Sequence, residues 1–589
     1  MRNIARVLAV CLLFSTVHVF AATTADLVLL HGNIVTEEKA TPKVQALAVK
    51  DGRILALGSD QDIQAYVGKG TQVLDLKGQT AVPGFIEGHG HFLELGQFLT
   101  QLDLTKTKDW DQVVALVAEA VKKAKPGAWI IGRGWHQEKW THPPVPNVDG
   151  FPLHASLDAV SPANPVMLTH ASGHGIFVNA AALKLARVDR HTPDPAGGQI
   201  VRDSSGEPAG FLRDNAMLLV QDVYAAELKK RSPAQAEADF RSRVDLAAKD
   251  AAAKGITSFV DQGETFPVLD ELKQLAEQGA LPLRLYAMVD VTRVDDYSAG
   301  LPDKGYGQYG PLEQLRRFLP DHRIVGFADD HYTVRSVGEV YSDGALGTHT
   351  AWLLQPYDDL PSSSGLSVLP PADMRAWDEV ALEDGYQVAT HAIGDRANRE
   401  VLDVYQALFA AHPQAKDLRW RIEHAQHIDP ADIPRFGKLG VIASMQSIHE
   451  CSDAPYVVKR LGEARAKNGA YAWRSLMDSG AMIANGTDVP VEDEDPIPNF
   501  YCAVTRRSKL DGTPFHPEQA MTREEALRSY TWNNAYALFE ENELGSLKVG
   551  KRADITVLSQ DILTVPEADI PATEVVYTLV GGKVVYRRP

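Results

Sequence analysis

The middle of the chain alternates between short apolar runs and longer amphipathic stretches. Eight apolar, β-prone runs, each ending in polar residues, follow one another: AVPGFIEGHGH, GITSFVDQG, LRLYAMVD, TVRSVGEVYSDG, YQVATHAIGD, RWRIEHAQH, GVIASMQSIH and AMIANGTDVP. Helical patterns such as RANREVLDVYQALFAAH separate several of them. Near-continuous apolar strands indicate a parallel sheet covered on both faces. Eight such strands with intervening helices predict an α/β fold, a (β/α)8 TIM barrel over residues 82–539.

The two ends of the chain have a different pattern. Short β-prone runs separated by Gly and Asp turns occupy residues 22–81, and a strand followed by a Gly-Gly hairpin occupies residues 540–589. We expect both ends to form one small β-sandwich domain. Residues 100–230, approximately, separate the first barrel strand from the second and contain apolar runs of their own. They predict an insertion after the first barrel strand.

The first residues have the pattern of a secretory signal peptide, residues 1–21. Arg2 and Arg6 precede the apolar run 8–20, and Ala21 ends a plausible cleavage site. The alternative is a membrane anchor, for which the run is short. We therefore expect export to the periplasm with cleavage of this peptide, or secretion where there is no outer membrane. After cleavage we expect no membrane attachment.

The composition of the chain limits the kinds of molecule that it can bind and the disulfides that it can form. The chain is 44% hydrophobic and 23% charged, as in ordinary globular proteins, and its formal net charge of −18 disfavours binding to nucleic acid. Three cysteines are too few for a disulfide framework. Cys451 and Cys502 remain after cleavage and could pair in an oxidising compartment, but two separate buried thiols are the favoured interpretation.

Metal-binding side chains end several predicted strands. His89 and His91 alternate along the first strand, so both imidazoles can face the same way. Later strands carry Glu339, His391, His424 and Asp488. Because the carboxyl ends of barrel strands meet at one face, these groups should converge, as a ligand set for one or two zinc-like ions. The sequence has no GxxxxGK[ST] loop, no GxGxxG after the first strand and no GxSxG elbow, so phosphate-binding and serine-hydrolase sites are disfavoured.

The motifs around these strand ends resemble those of a known family. They are PGFIEGHGH, GHGIFVNAAAL, GITSFVD, YSDGALG, THAIGDRAN, RIEHAQ, NGTDVPVEDEDP and the tail GSLKVGKRADITVL. Together they resemble the amidohydrolase superfamily, most closely the branch of YtcJ-like proteins and N-substituted formamide deformylases. The resemblance covers nearly the whole mature chain and specifies the family but not the substrate.

The resemblance implies the metal ligands. They are His89, His91, His391, His424 and Asp488, the last of which also handles the proton. The branch usually has a lysine four residues before the Asp-Gly of the fourth strand, where a carboxylated lysine can bridge two metals. Here Glu339 occupies that position. A glutamate bridge is the favoured interpretation, and a one-metal site with Glu339 outside the coordination sphere is the alternative.

The resemblance also implies a mechanism for hydrolysing an amide or other C–N bond of a small molecule. A metal-activated hydroxide attacks the carbonyl carbon, and Asp488 shuttles the proton. Candidates for substrate binding or oxyanion stabilisation are His174, His449, Gln446 and Tyr341, and Asp395 is a candidate for orienting His391 or a loop. Trp135 and His136 are candidates for shaping the pocket. Alternatives are deamination, lactone or ester hydrolysis, isomerisation, or a non-enzymatic periplasmic metal- or solute-binding protein. Dimers are common among relatives, so a homodimer is an expected assembly.

Overall fold

The computed structural model describes residues 24–290, 301 and 305–589. The predicted signal peptide lies outside these residues. Within the part of the chain that the structure describes, no helix combines the length and the apolar content needed to cross a membrane.

The amino-terminal residues form short strands that belong to two sheets. They are β1 (Leu27–Leu30), β2 (Asn33–Val35), β3 (Lys43–Val44), β4 (Ala46–Lys50), β5 (Arg53–Gly58), β6 (Gln72–Asp75) and β7 (Thr80–Pro83), with helix α1 (Asp60–Gln64) after β5. One sheet has the order β5-β4-β1-β6. Strands β2, β3 and β7 belong to a second sheet, which the other end of the chain completes.

The segment between the first two barrel strands folds into a sheet of its own. Its elements follow β8 (Phe85–Gly90), the first barrel strand, and are β9 (Leu102–Asp103), β10 (Ile130–Trp135), β11 (Asn147–Val148), β12 (Phe151–Pro152), β13 (Val166–His170), β14 (Gly175–Val178), β15 (Gly198–Arg202), β16 (Pro208–Asp214), α2 (Phe92–Phe98), α3 (Trp110–Lys123), α4 (Ala155–Val160), α5 (Ala180–Ala186) and α6 (Leu218–Leu228). The sheet order is β15-β16-β14-β13-β10-β9. Trp135 is fully buried in the core of this segment and donates its indole N–H to the carbonyl of Leu168. The expectation that Trp135 shapes the pocket is therefore wrong, since its ring packs inside the inserted segment.

The eight predicted barrel strands are all present. After β8 they are β17 (Ile256–Glu264), β18 (Arg284–Val289), β20 (Tyr332–Tyr341), β21 (Gln387–Ala392), β22 (Arg421–His424), β23 (Ile442–Met445) and β24 (Ile483–Asn485), and the short strand β19 (Ile324–Gly326) pairs antiparallel with β20. The others pair in parallel in chain order from β8 to β24. The amide of Asp488 donates to the carbonyl of His89 at 2.7 Å, and the amide of His91 donates to the carbonyl of Val489 at 2.8 Å. These two bonds nearly close the barrel, and the predicted α/β barrel is confirmed.

Helices follow most of the barrel strands. They are α7 (Pro233–Ala253), α8 (Phe266–Glu277), α9 (Pro311–His322), α10 (Phe327–Asp330), α11 (Pro371–Glu383), α12 (Asp395–Ala411), α13 (Ile433–Leu439), α14 (Ser447–Gly469), α15 (Trp473–Asp478), α16 (Pro496–Thr505), α17 (Arg523–Ser529) and α18 (Trp532–Ala537). Asn534 on α18 donates to the carbonyls of Ile86 and Asn485, both at 2.7 Å. Helix α18 thus ties Ile86, near the start of the first barrel strand, to Asn485, the last residue of the eighth.

The carboxyl-terminal strands complete the second terminal sheet. They are β25 (Ile555–Leu558), β26 (Val575–Val580) and β27 (Lys583–Arg587), and the sheet order is β27-β26-β25-β7-β2-β3. One buried cluster contains side chains from both terminal sheets, including Leu47 of the first and Ile555 of the second. Arg284 of barrel strand β18 makes a two-point ion pair with Asp554, at 2.7 and 2.9 Å. This pair joins the barrel to the segment that leads into β25.

Cys451 and Cys502 form a disulfide, which corrects the favoured interpretation of two separate thiols. Cys451 lies on α14 and Cys502 on α16, and the two helices pack so that the Cα atoms are 6.0 Å apart. Sequence reasoning could not choose between the alternatives because this contact joins helices that follow different barrel strands.

Candidate metal centre

The two histidines of the first strand face the last strand of the barrel. His89 is fully buried at the end of β8, and His91 follows it after Gly90. Their Nε2 atoms lie 3.4 and 3.2 Å from Oδ1 of Asp488. A Cβ at Gly90 would be 2.8 Å from the ring of Phe259, so the residue between the two histidines has no room for a side chain.

Glu339 lies at the centre of the histidine cluster. Its Oε1 is 2.8 Å from Nε2 of His424, 3.1 Å from Nδ1 of His391 and 3.9 Å from Nε2 of His89. Burial opposes ionisation of this carboxyl, but the imidazoles of His89 and His424 outweigh it and hold the pKa of Glu339 well below its usual range. One carboxylate oxygen is therefore shared among imidazoles from three barrel strands.

The six side chains make three overlapping groups that could hold a metal ion. The groups are His89, His91 and Glu339; His89, His424 and Asp488; and Glu339, His391 and His424. In each group the ligand atoms lie within 4.8 Å of one another, and every residue is buried. Nε2 of His89 is buried and makes no hydrogen bond to any described residue. Imidazole nitrogens and carboxylate oxygens are zinc-type donors, so the donor set and this bare nitrogen fit a divalent metal.

A buried ion pair fixes the other nitrogen of His89. Nδ1 of His89 lies 2.6 Å from Oε2 of Glu423, and Arg421 donates to both oxygens of that carboxylate at 2.6 and 2.9 Å. Burial opposes ionisation, but Arg421 and His89 lower the pKa of Glu423 to about 2. The carboxylate keeps the proton of His89 on Nδ1 and leaves Nε2 to face Glu339 and Asp488. Sequence reasoning missed this role, although Glu423 lies within the RIEHAQ motif.

The inserted segment contributes a histidine–aspartate pair to the same site. Nδ1 of His174 lies 2.8 Å from Oδ1 of Asp214, and the His174 ring centroid is 4.8 Å from that of His391. Tyr341 lies on the other side, with its ring 5.8 Å from His174 and 5.1 Å from His391. His174 and Tyr341 therefore lie beside the cluster, and their role towards a substrate stays a prediction. Asp214 was not foreseen, because it lies 40 residues away in sequence from the histidine that it orients.

The remaining candidates occupy different positions around the cluster. Gln446, which we expected to contact substrate, has its amide oxygen 2.8 Å from Nδ1 of His424 and so lies behind that ligand. His449 approaches the cluster, with Nε2 3.9 Å from Oδ2 of Asp488. Asp395 accepts a hydrogen bond from the amide of Leu354 at 2.8 Å, so it orients a loop. His391 has a different carboxylate beside it.

The carboxylate beside His391 belongs to Asp343. Its Oδ1 lies 3.4 Å from Nε2 of His391, and it accepts backbone hydrogen bonds from Trp352, Ile393 and Gly394 at 2.7 to 3.0 Å. Burial outweighs these bonds and raises the pKa of Asp343 to about 7. Asp343 therefore connects the loop after β20 to the loop after β21 and holds His391 between them.

The cluster opens into two cavities of very different size. The larger one, about 570 Å³, runs from the cluster between the inserted segment and the loop after β20. The smaller one, about 40 Å³, lies on the side of His449 and is lined in part by His136. His174, His424 and Asp488 line both. The cluster is thus placed where a small molecule could reach it from a deep pocket.

Comparisons with known proteins identify the family of the chain. The family model "Amidohydrolase family" matches residues 72–586. The chain is 35% identical to "Protein LONG AFTER FAR-RED 3" of Arabidopsis thaliana, with 96% of this chain and 92% of that protein covered. It is 30% identical to "Putative amidohydrolase YtcJ" of Bacillus subtilis, with 95% and 98% covered, and 26% identical to "N-substituted formamide deformylase" of Arthrobacter pascens, with 96% and 98% covered.

Among solved structures, an uncharacterized metal-dependent hydrolase from Pyrococcus horikoshii is similar to the chain. The TM-score is 0.69 at 26% sequence identity, and the match covers 92% of this chain and 99% of that one. The family model spans the barrel and the inserted segment, together with β6, β7, β25 and β26 of the terminal sheets, which confirms the resemblance of the motifs. The chain therefore belongs to the amidohydrolase family and is a metal-dependent hydrolase.

Proposed function

We propose that the chain hydrolyses an amide or other carbon–nitrogen bond of a small molecule. The observation that carries this proposal is the position of Glu339, whose Oε1 is shared by imidazoles from three strands. A second carboxylate, Asp488, faces His89 and His91. The relative named as an N-substituted formamide deformylase supports this bond type.

The ligand set divides around Glu339. His89 and His91 with Asp488 would hold one ion, His391 and His424 a second, and Glu339 would bridge them. A metal ion bound there supplies Lewis-acid activation of water and of a carbonyl group. We propose zinc, because imidazole and carboxylate donors are typical of zinc sites that keep an open position.

Asp488 is the proposed proton shuttle. Burial opposes its ionisation, but His89 and His91 outweigh burial and hold the pKa of Asp488 well below its usual range. An ionised carboxylate at the meeting point of both cavities can accept a proton from the attacking water. It can then give that proton to the departing nitrogen, which leaves as the amine.

We propose that His174 interacts with the substrate oxygen. Asp214 keeps its proton on Nδ1, so Nε2 of His174 is the atom free to change hydrogen-bond partner as substrate enters. Tyr341 lines the same cavity wall. We propose that these two side chains orient the carbonyl group and stabilise the charge that develops on its oxygen.

Three further features of the protein concern its cellular location, its terminal domain and its assembly. We propose that residues 1–21 direct export and are removed, and that the two terminal sheets, residues 22–81 and 540–589, form a β-sandwich domain around their shared cluster. The disulfide between Cys451 and Cys502 supports an oxidising compartment. Amino-terminal sequencing of the protein recovered from a periplasmic fraction tests the cleavage, and light scattering tests the expected homodimer.

Metal removal tests the reaction directly. The purified protein is assayed for amine release from N-formyl and N-acetyl amines before and after dialysis against a chelator, and again after addition of zinc, manganese or cobalt. We expect activity to disappear with the metal and return with it, and Asp488→Asn to lower kcat about 10²- to 10⁴-fold. Activity that survives metal removal would contradict the proposal, and ammonia release from a ring would favour deamination.

A further inference from the structure

One wall of the larger cavity is formed by a single stretch of chain that leads from the metal-binding cluster to the solvent. Asp214, at its inner end, is buried and holds His174 beside the cluster. Leu218 follows at the start of α6 and is half-buried, and Asp222 lies one turn further along the same helix and is exposed. All four side chains line the cavity. Because residues four apart share a helix face, this wall changes from apolar at Leu218 to acidic at Asp222, at the mouth of the cavity.

Asp222 differs from the other carboxylates of this cavity wall because no side chain compensates its charge. Glu94 accepts a hydrogen bond from Arg133 at 2.8 Å, and Asp214 lies 2.8 Å from the imidazole that it orients. No hydrogen bond or ion pair joins the carboxylate of Asp222 to any residue in the described part of the chain. Neighbouring atoms withdraw it partly from water, and this burial raises the pKa of Asp222 more than the charge of Lys229 lowers it. Its negative charge is therefore left for a ligand to compensate.

The balance of charge in the lining favours a cation over an anion. Outside the metal-binding cluster, and apart from histidine, the described lining residues carry the carboxylates of Glu94, Asp214 and Asp222 and the guanidinium of Arg133. The chain as a whole has a formal net charge of −18. Carboxylates between low-dielectric walls attract cations and repel anions. A cationic group at the mouth would therefore compensate Asp222, whereas an anionic group would meet a like charge there.

Apolar side chains line the cavity between the cluster and its mouth. Leu218 and Leu219 of α6 line it together with Leu369 and Trp377 from the region after β20. The three leucines are half-buried and Trp377 is buried. A hydrocarbon chain that passes these side chains would gain from leaving water, whereas a charge at the same level would lose its hydration without a partner. The cationic group of a ligand therefore belongs at the end away from the cluster, beside Asp222.

We propose that the substrate is an amide whose far end carries an ammonium or other cationic group, and that Asp222 binds this group and selects for it. A short hydrocarbon chain joins the cation to the scissile bond and lies along Leu218 and Leu219. This inference rests on the proposed amide hydrolysis, which consumes one water molecule and releases a carboxylic acid and an amine, with the cation unchanged on one of the two products. Asp222 contacts the substrate away from the reacting atoms, so it determines specificity and takes no part in the chemistry.

Three formamides of similar length test the preference for a cation. We compare kcat/KM for N-(5-aminopentyl)formamide, N-hexylformamide and 6-formamidohexanoate, which end in an ammonium, a methyl group and a carboxylate. The ammonium compound should exceed the methyl compound about fivefold, as expected for one ion pair near the surface, and the carboxylate compound should be the poorest substrate. The advantage of the ammonium compound should shrink as salt is added, because salt screens exposed charges. A kcat/KM for the ammonium compound equal to or below that of the methyl compound would overturn the inference.

Charge variants on α6 test the residue. Asp222→Asn should bring kcat/KM for the ammonium compound down to about that of the methyl compound and leave the methyl compound within twofold of the parent protein. Glu227→Gln is the matched control, because Glu227 is an exposed carboxylate on the same helix and is not among the residues that line the cavity. This control should keep the preference for the ammonium compound. Asp222→Lys should transfer the preference to 6-formamidohexanoate, which a loss of stability would not do. An unchanged preference in Asp222→Asn, or an equal loss in Glu227→Gln, would contradict the assignment.

A binding measurement separates this inference from the proposed reaction. A ligand-observed NMR titration of hexylammonium and of 1-hexanol with the intact protein reports the cation site whether or not any amide is cleaved. Tighter binding of hexylammonium that Asp222→Asn abolishes, without turnover of any of the three formamides, would support the cation site and contradict the proposed reaction. Turnover without a preference for the ammonium compound, with equal binding of the two probes, would support the reaction and contradict the cation site.

Discussion

The chemistry of the site depends on how four of its histidines are held by neighbouring side chains. His89 is held by Glu423, His424 by Gln446, His391 by Asp343, and His174 by Asp214. Each neighbour fixes which nitrogen of its imidazole faces the cluster. The ligands themselves could be predicted because they end apolar strands. Their partners could not, because a buried contact across many residues leaves no local pattern in the sequence.

Replacing Glu423 tests this arrangement at one residue. Glu423→Gln removes the charge that holds the proton on Nδ1 of His89 and leaves Arg421 without its partner. We expect about 10- to 100-fold weaker metal binding, measured by competition with a chromophoric chelator.

Glu87 provides the matched control for that change. It is equally buried in the barrel interior, but burial raises its pKa to about 8, so it carries little charge at pH 7. Glu87→Gln should therefore change metal affinity much less than Glu423→Gln does. Equal losses in the two variants would show that affinity reports general damage to the interior and would contradict a specific role for Glu423.

The buried carboxyl group of Glu450 should make the free energy of unfolding depend on pH. Burial, opposed by Arg506, raises its pKa to about 8 from an ordinary value of 4.5. Between these values the unfolded chain loses the proton and the folded chain keeps it. The stability that the neutral group gives is complete below pH 4.5 and is lost as pH rises towards 8, by about 1 kcal/mol per pH unit.

Urea unfolding between pH 5 and pH 8 measures this effect. Glu450→Gln should flatten the decline in the free energy of unfolding, because its amide does not titrate. The exposed Glu463 on the same helix is the control, and Glu463→Gln should retain the decline of the parent protein. A decline of the same slope in all three proteins would contradict the assignment to Glu450.

At the scale of secondary-structure elements, the hydrophobic pattern predicts the strands of the barrel but not those of the inserted sheet beside it. All eight barrel strands match predicted apolar runs, because a strand covered on both faces has few polar positions. The inserted sheet was expected only as a structured segment, since its short strands pair out of sequence order. Trp135 looked like a pocket residue for the same reason: its burial depends on strands that the local pattern does not identify.

The disulfide joins two elements that frame the site. Helix α14 begins directly after Gln446, and helix α16 begins a few residues after Asp488. We expect the Cys451→Ser, Cys502→Ser double variant to unfold about 2–4 kcal/mol more easily in urea, and reductant to destabilise the parent protein but not the variant. Two free thiols in the unreduced, unfolded parent protein would contradict the pairing.

At the scale of the whole molecule, three parts of the chain meet at one site. The barrel supplies the metal-binding cluster, the inserted segment supplies His174, Asp214 and one wall of the larger cavity, and the terminal sheets brace the barrel through Arg284 and Asp554. The family and the barrel follow from sequence because their motifs are local. The shape of the cavity does not, because two distant segments form it together.

Metal content tests the central claim most directly. We would measure divalent metals by elemental analysis in the parent protein, Glu339→Ala and His391→Ala, each loaded with zinc and then desalted. A Glu339-bridged site predicts about two ions per chain in the parent protein and at most one in each variant. One ion in the parent protein, lost with His391 and retained in Glu339→Ala, would contradict the bridge, and no ion in any of the three proteins would contradict the metal centre itself.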